Sequence, residues 1–156
     1  MRSLQAASLI AVAGALLASG CATYQQGSAD RGALLKQFEP IADKASVYVC
    51  REPALFVARG VKTEVYIDNQ NIGTLKTNSF VHTVVEPGEH GVLLRHDGIN
   101  RGTGGFETFE VGPGDVRFFW VGVTGKGFGV LTVDDFESDA EARACVTGAE
   151  YSVPTA

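Results

Sequence analysis

The chain has 156 residues, room for one domain, and carries 13 basic against 18 acidic side chains, a net charge of −5. With Lys and Arg scattered rather than clustered, this balance argues against nucleic acid as a partner, because neutralising phosphates takes grouped cations. It argues equally against electrostatic adsorption to anionic lipid headgroups, so any membrane attachment has to come from another source.

The first twenty residues read as an address. Arg2 and the α-amino group form a short positive region, and Leu9 to Leu17 is an uncharged apolar stretch. It is too short for a membrane span, which needs about 20 residues. Small residues, Ala18-Ser19-Gly20, then precede Cys21, as a signal peptidase requires. The segment Leu17-Ala18-Ser19-Gly20-Cys21 resembles the lipobox of bacterial lipoproteins, with Ala18 where Leu is commoner. The resemblance implies cleavage before Cys21, a diacylglyceryl group on its sulfur and acylation of the new N-terminus. Several acyl chains hold a protein firmly to a bilayer, where one binds marginally. Ala22, standing where Asp would imply inner-membrane retention, points to the outer membrane and its periplasmic face. Two other readings remain open: an ordinary secretory signal with Cys21 incidental, or an uncleaved anchor helix. Polar Tyr24-Gln25-Gln26-Gly27-Ser28 speaks against the second.

Cleavage removes Arg2 and leaves 12 basic and 18 acidic side chains, a net charge of −6. It also leaves an even pair of cysteines, Cys50 and Cys145, in a compartment that permits disulfides. A bridge between them is expected; two buried, unpaired thiols acting as small hydrophobes are the alternative.

Residues 21–45 read as a lipidated tether, small and polar to Gly32, with Leu34, Leu35, Phe38 and Ile41 at near-helical spacing until Pro40 intervenes. Residues 46–150 read as the domain. Ser46 to Cys50 is short and β-branched, and Val61, Thr63, Val65 and Ile67 alternate with polar neighbours, as in a half-buried strand. Asp68 to Asn71 is a turn, with Ile72 to Leu75 returning. Phe80 to Val85 and Val92 to Leu94 are expected to pair around Glu86-Pro87-Gly88-Glu89, a type II turn signal that recurs at Gly112-Pro113-Gly114-Asp115. Val116 to Val123 is apolar on both faces after Arg117 and should be an inner strand with both sides covered. Gly125 to Gly127 turns the chain into Gly129 to Val133. Ser138 with Glu141 three residues later makes a capping box for one short helix carrying Cys145, which Gly148 can stop. Residues 151–156 are left as a tail. The expected fold is mainly β: a small antiparallel β-sandwich of short strands with one short C-terminal helix.

Ala45-x-Val47-Tyr48-Val49-x-Arg51, Val65-Tyr66-Ile67-Asp68, Ile72-Gly73-x-Leu75 and Val84-x-x-Pro87-Gly88-x-His90 together resemble a family of small bacterial lipoproteins known only as a domain of unknown function. The Pro-Gly-x-His stretch is also similar to PEGA-type surface β domains. The resemblance implies a β-sandwich lipoprotein and supplies no catalytic residues.

The residues themselves carry little chemistry. Three histidines, His82, His90 and His96, could bind a metal only by converging, and their placement on strands and turns favours surface roles. Neither Ser46 nor Ser79 sits in a nucleophile elbow. The glycine-rich stretches 98–105 and 125–129 lack the Lys-Ser/Thr ending of a phosphate loop. Arg51 reads as a structural ion-pair partner. The longest loop, residues 97–105 with Asn100, Arg101 and Thr103, is the candidate contact region. The expected function is a non-catalytic interaction or structural module with no cofactor and no metal. It would be joined to the membrane through lipid on Cys21, with an envelope protein or peptidoglycan as partner. A binding protein for peptidoglycan or another envelope polymer, and an envelope enzyme, are the alternatives.

Overall fold

A computed structural model describes residues 24–54, 59–96, 103–124 and 130–155. These form ten strands and two helices: β1 (Gln25–Gln26), α1 (Ala29–Leu35), β2 (Ala45–Arg51), β3 (Thr63–Ile67), β4 (Gln70–Leu75), β5 (Ser79–Val85), β6 (Gly88–His96), β7 (Thr103–Val111), β8 (Val116–Thr124), β9 (Val130–Asp135), α2 (Asp139–Gly148) and β10 (Glu150–Val153). Two sheets stack, one of six strands in the order β1-β10-β5-β2-β8-β9 and one of four in the order β4-β3-β6-β7. The protein is a mainly β sandwich with a short C-terminal helix, as the sequence indicates. It is not wholly antiparallel: β2 runs parallel to β8, and β10 parallel to β5.

Alternation explains the layers. Successive strand residues face opposite sides, so Val47 and Val49 of β2 join Val81, Phe119 and Val121 on the inner face of the large sheet. There they meet Val65, Ile67, Val92, Leu94 and Phe109 from the small one. Tyr48 and Cys50 point outward, and with Phe80 and Phe118 they form a second core under α1, Phe38 and α2. All seven residues of β2 are therefore buried. Inner strand β8 is covered through Phe118 on that outer face, but Trp120 beyond it is only half-buried.

The turn at the β3–β4 hairpin is tighter than the four residues suggest. Asp68 and Asn69 alone make it, with φ of 50° and 66°, and Gln70 already pairs with Ile67. Two consecutive left-handed residues form the hairpin turn that matches strand twist, and Asp and Asn tolerate that conformation best.

The expected pairing of Phe80–Val85 with Val92–Leu94 does not occur. β5 lies between β2 and β10, and β6 lies between β3 and β7 in the other sheet. Both faces of β5 are buried, through Phe80 outward and Val81 inward, so it needs the doubly covered layer. β6 buries only Val92 and Leu94 and suits the layer with one wet face. The Pro87-Gly88 turn is thus a corner between layers, with Gly88 at φ 139°. Gly112 to Asp115 is the second corner, linking β7 to β8. Gly114 at φ 81° and the Asp115 amide donating to the Gly112 carbonyl over 3.3 Å make it a type II turn.

The segments read as tether and tail also enter the fold. β1 pairs antiparallel with β10 through Gln25 opposite Val153 and Gln26 opposite Ser152. The Ser152 hydroxyl donates to the Thr74 carbonyl over 2.7 Å, tying that edge to β4. α1 starts at an N-cap, Ser28, whose hydroxyl accepts from the Arg31 amide. Ser138 caps α2 in the same way through the Glu141 amide, and the helix ends at Gly148.

On the side away from β1, β9 of the large sheet meets β7 of the small one. A Cβ on Gly104 would lie 2.3 Å from Cβ of Leu131, and one on Gly105 would lie 2.6 Å from the Val133 amide nitrogen. Only residues without a side chain let the layers close here. Gly105→Ala should therefore destabilise the domain by about 1–3 kcal/mol, the cost of overpacking a fitted contact. Gly148→Ala, with nothing within 4 Å of the new Cβ, should be near neutral. Urea midpoints of the two variants check this, and equal midpoints would refute the glycine seam.

Cys50 and Cys145 are joined in a disulfide that fixes α2 to the outer face of β2, across a sequence separation of 95 residues. Closing a loop of that length is worth about 4–5 kcal/mol in the chain-entropy model. Replacing both cysteines with serine should lower denaturant stability by several kcal/mol, and a double variant as stable as the parent would contradict it.

Candidate functional site

A concave surface that carries polar chemistry lies beside α2. A cleft of about 510 Å³ is lined by Glu52, Trp120, Asp134, Asp135, Phe136, Glu137 and Glu141. Its residues arrive from four elements and the turn between two of them. Glu52 follows β2, Trp120 sits opposite Cys50 on β8, and the rest come from the end of β9, the turn after it and the first turn of α2. The indole ring of Trp120 lies against Gly122, where a Cβ would come within 2.5 Å of it. The indole nitrogen donates to a carboxylate oxygen of Glu52 over 3.3 Å. At one rim Arg117 holds Asp135 through contacts of 2.7 and 2.9 Å. Nearby on β7, burial raises the pKa of Glu107, and Asp135 raises it further against the pull of Arg117. A smaller neighbouring hollow, about 210 Å³, runs from Phe118 and Asp135 to Ser138 and Asp139.

An amphipathic ring among carboxylates suits a ligand with an apolar face and a rim of hydroxyl or ammonium donors. Among the described residues, the cleft lining contains no serine, cysteine or histidine. Sequence reasoning missed this site because Trp120 reads as one more apolar residue of an inner strand. The available signals were Gly122 two residues on, which leaves room on that face, and the acidic run Asp134-Asp135 closing the neighbouring strand.

Asn100 and Arg101 of the candidate contact loop lie outside the described residues, as does Cys21; Thr103 is the first residue of β7. The histidines are dispersed: His82 is on β5 in the large sheet, and His90 and His96 lie toward opposite ends of β6 in the small one. Among the described residues no three His, Cys, Asp or Glu side chains are grouped to hold a metal. Arg51 is buried, its guanidinium donates to the Val61 carbonyl, and burial lowers its pKa.

His90 is a strut. One ring nitrogen contacts an Asp68 carboxylate oxygen at 2.6 Å, and the other contacts the Glu86 carbonyl at 2.7 Å. The second Asp68 oxygen accepts from the Gly91 amide over 2.9 Å. Both partners of the ring are acceptors, so the ring satisfies both only as the imidazolium. Burial pulls its pKa down, but the hydrogen bonds to Asp68 and Glu86 and the Asp68 charge outweigh that and raise it. The strut joins the β3–β4 hairpin turn to the Pro87 corner. His82 behaves in the opposite way: burial, with help from the Arg31 charge, pushes it down from 6.5 to about 4.

The two histidines give opposite pH limbs. The raised pKa of His90 stabilises the fold fully below 6.5, and that contribution is lost as pH rises through its folded value. The depressed pKa of His82 makes the fold lose stability as pH falls from 6.5 toward 4, where the unfolded chain takes the proton first. Thermal melts across pH should show His82→Leu flattening the acid limb and His90→Gln the alkaline limb. A variant profile parallel to the parent would reject that residue's assignment.

The family model for proteins of unknown function DUF2846 matches residues 41–125, which run from the approach to β2 through the end of β8 and contain both corners. An uncharacterized protein of Haemophilus influenzae is 34% identical over 85 residues, covering 54% of this chain and 48% of that protein. The chain thus spans about half the length of the curated relative it matches. α2 and Cys145 fall outside the family match. With more than half of its length matched by the family model, the chain belongs to the DUF2846 family of proteins of unknown function.

Proposed function

We propose that this protein is a lipid-anchored lipoprotein of the bacterial cell envelope, facing the periplasm from the outer membrane, whose sandwich is a non-catalytic interaction module. The observation that carries the reading is the segment Leu17-Ala18-Ser19-Gly20-Cys21 after a short apolar stretch, with a positive residue ahead of it. The Cys50–Cys145 disulfide supports it, because such bridges persist in oxidising compartments and are rare in the cytosol. The likeness of Pro87-Gly88-x-His90 to PEGA-type surface domains points the same way. The intact mass of protein extracted from membranes tests the anchor. A mass equal to residues 21–156 plus acyl groups is expected, and an unmodified or longer chain would overturn it.

A second reading, binding of peptidoglycan or another envelope polymer, is favoured by the Trp120 cleft. A sugar ring offers an apolar face to an indole and hydroxyl or amino donors to the surrounding carboxylates. On this reading the protein co-sediments with purified peptidoglycan, and Trp120→Ala reduces the bound fraction at least about tenfold, the effect of losing one stacking anchor. Wild-type protein remaining in the supernatant would remove the polymer reading and leave a protein partner.

A further inference from the structure

We infer that the edge formed by Tyr24, β1 and the exposed side of α1 lies directly on the bilayer that holds the anchor. The inference rests on the lipoprotein reading above and goes beyond it by assigning the docking surface. Its basis is the length of chain available. Gln25 already pairs with Val153, so only four Cα–Cα steps separate the lipidated Cys21 from a residue fixed in the sheet. At about 3.3–3.6 Å per residue the reach is at most about 14 Å. A headgroup layer is itself roughly 5–8 Å thick on each side of the hydrocarbon. A domain on so short a leash rests against the membrane rather than standing off it.

The chemistry of that edge fits a lipid interface. The Lys76 ammonium lies over the Tyr24 ring, 4.3 Å from its centroid, and pairs with Glu150 at 2.6 Å. This presents an aromatic ring with a polar tip and a locally neutral ion pair, the kind of surface that settles at headgroup level without needing anionic lipid. α1 begins four residues after Gln25 and is about 10 Å long. Its inner side is occupied, with Gly32 packed on Tyr151 and Leu35 in the outer core. Leu34, by contrast, is 57% exposed, a large apolar side chain left mostly open. Buried in the interface, it adds to the acyl chains the transfer energy of its own surface.

The chain's single tryptophan provides an internal control. Trp120 is on β8, four strand positions from β1 and so roughly 19 Å away across the sheet at about 4.8 Å per strand. The experiment uses the full-length protein, extracted from membranes, shown by mass to be acylated, and reconstituted into phosphatidylcholine vesicles with bromine on the upper acyl chain. In a Trp120→Phe background, Leu34→Trp should be quenched roughly twofold or more relative to unbrominated vesicles, as expected of a side chain at the headgroup–acyl boundary. Tyr24→Trp should be quenched as well, and Trp120 in the wild type should not. Thermal melts matching the parent establish that each variant is folded. Acylated, folded protein whose Leu34→Trp and Tyr24→Trp emission is untouched by bromine would overturn the docking while leaving the anchor in place. Protein without acyl mass would overturn the anchor and the docking together.

Discussion

The fold depends on one strand being dry on both faces. β2 is buried at every residue from Ala45 to Arg51, which demands a layer on each side. Val47 and Val49 recruit the small sheet, and Tyr48 and Cys50 require a lid of helices. The Tyr48 hydroxyl donates to the Leu35 carbonyl over 2.8 Å, and burial pushes its pKa up to about 12, so it remains a donor at any physiological pH. Arg143 of α2 lies 4.8 Å from the Phe38 ring, closing the lid from the other side. A single polar substitution at Val47 or Val49 would place an unpartnered group between two layers, the most costly kind of core change.

Burying β2 this way dictates how the chain travels. The chain must cross between layers several times, and the two Pro-Gly corners carry it from β5 to β6 and from β7 to β8. The sandwich then needs one edge to close and one to stay workable. Gly104 and Gly105 close the β7–β9 side, while β10 and β1 cap the other with a short pair from the two ends of the domain. Among the described residues, two of the surfaces left free for contact are the cleft between Trp120 and the start of α2 and the N-terminal edge with Leu34. One is acidic and aromatic, the other apolar and close to the proposed anchor, so the proposed partner contact and the proposed membrane contact fall on separate surfaces.

Local signals in the sequence were legible where the physics is local. The alternation of Thr63 to Ile67 sets β3, Ser138 and Glu141 mark the start of α2, and Asp68-Asn69 mark a hairpin that the structure tightens by two residues. Pro87 and Gly88 announce a change of direction, but not which layer receives the next strand. That choice depends on how many faces β5 and β6 must bury, a property of the assembled core. Tyr151 and Ser152 look like tail because a four-residue strand has too little pattern to stand out. They become ordered through β5 and the Thr74 carbonyl, distant in sequence. The Trp120 cleft escapes for the same reason, since it is built from α2 and three strands brought together by the register of β2, β8 and β9.

The bond between Cys50 and Cys145 links this architecture to the proposed oxidising compartment. It fixes the helix lid on the strand that needs covering, and it forms only where thiols are oxidised. On the proposed envelope location, the fold is completed after export. The direct measurement is thiol trapping in intact cells: acid quenching, alkylation, then reduction and a second, heavier alkylating tag. In cells making the full chain, Cys50 and Cys145 should take the heavy tag only, and a chain lacking residues 1–20 should take the light tag at both. Light tag on both cysteines of the full chain would contradict the account.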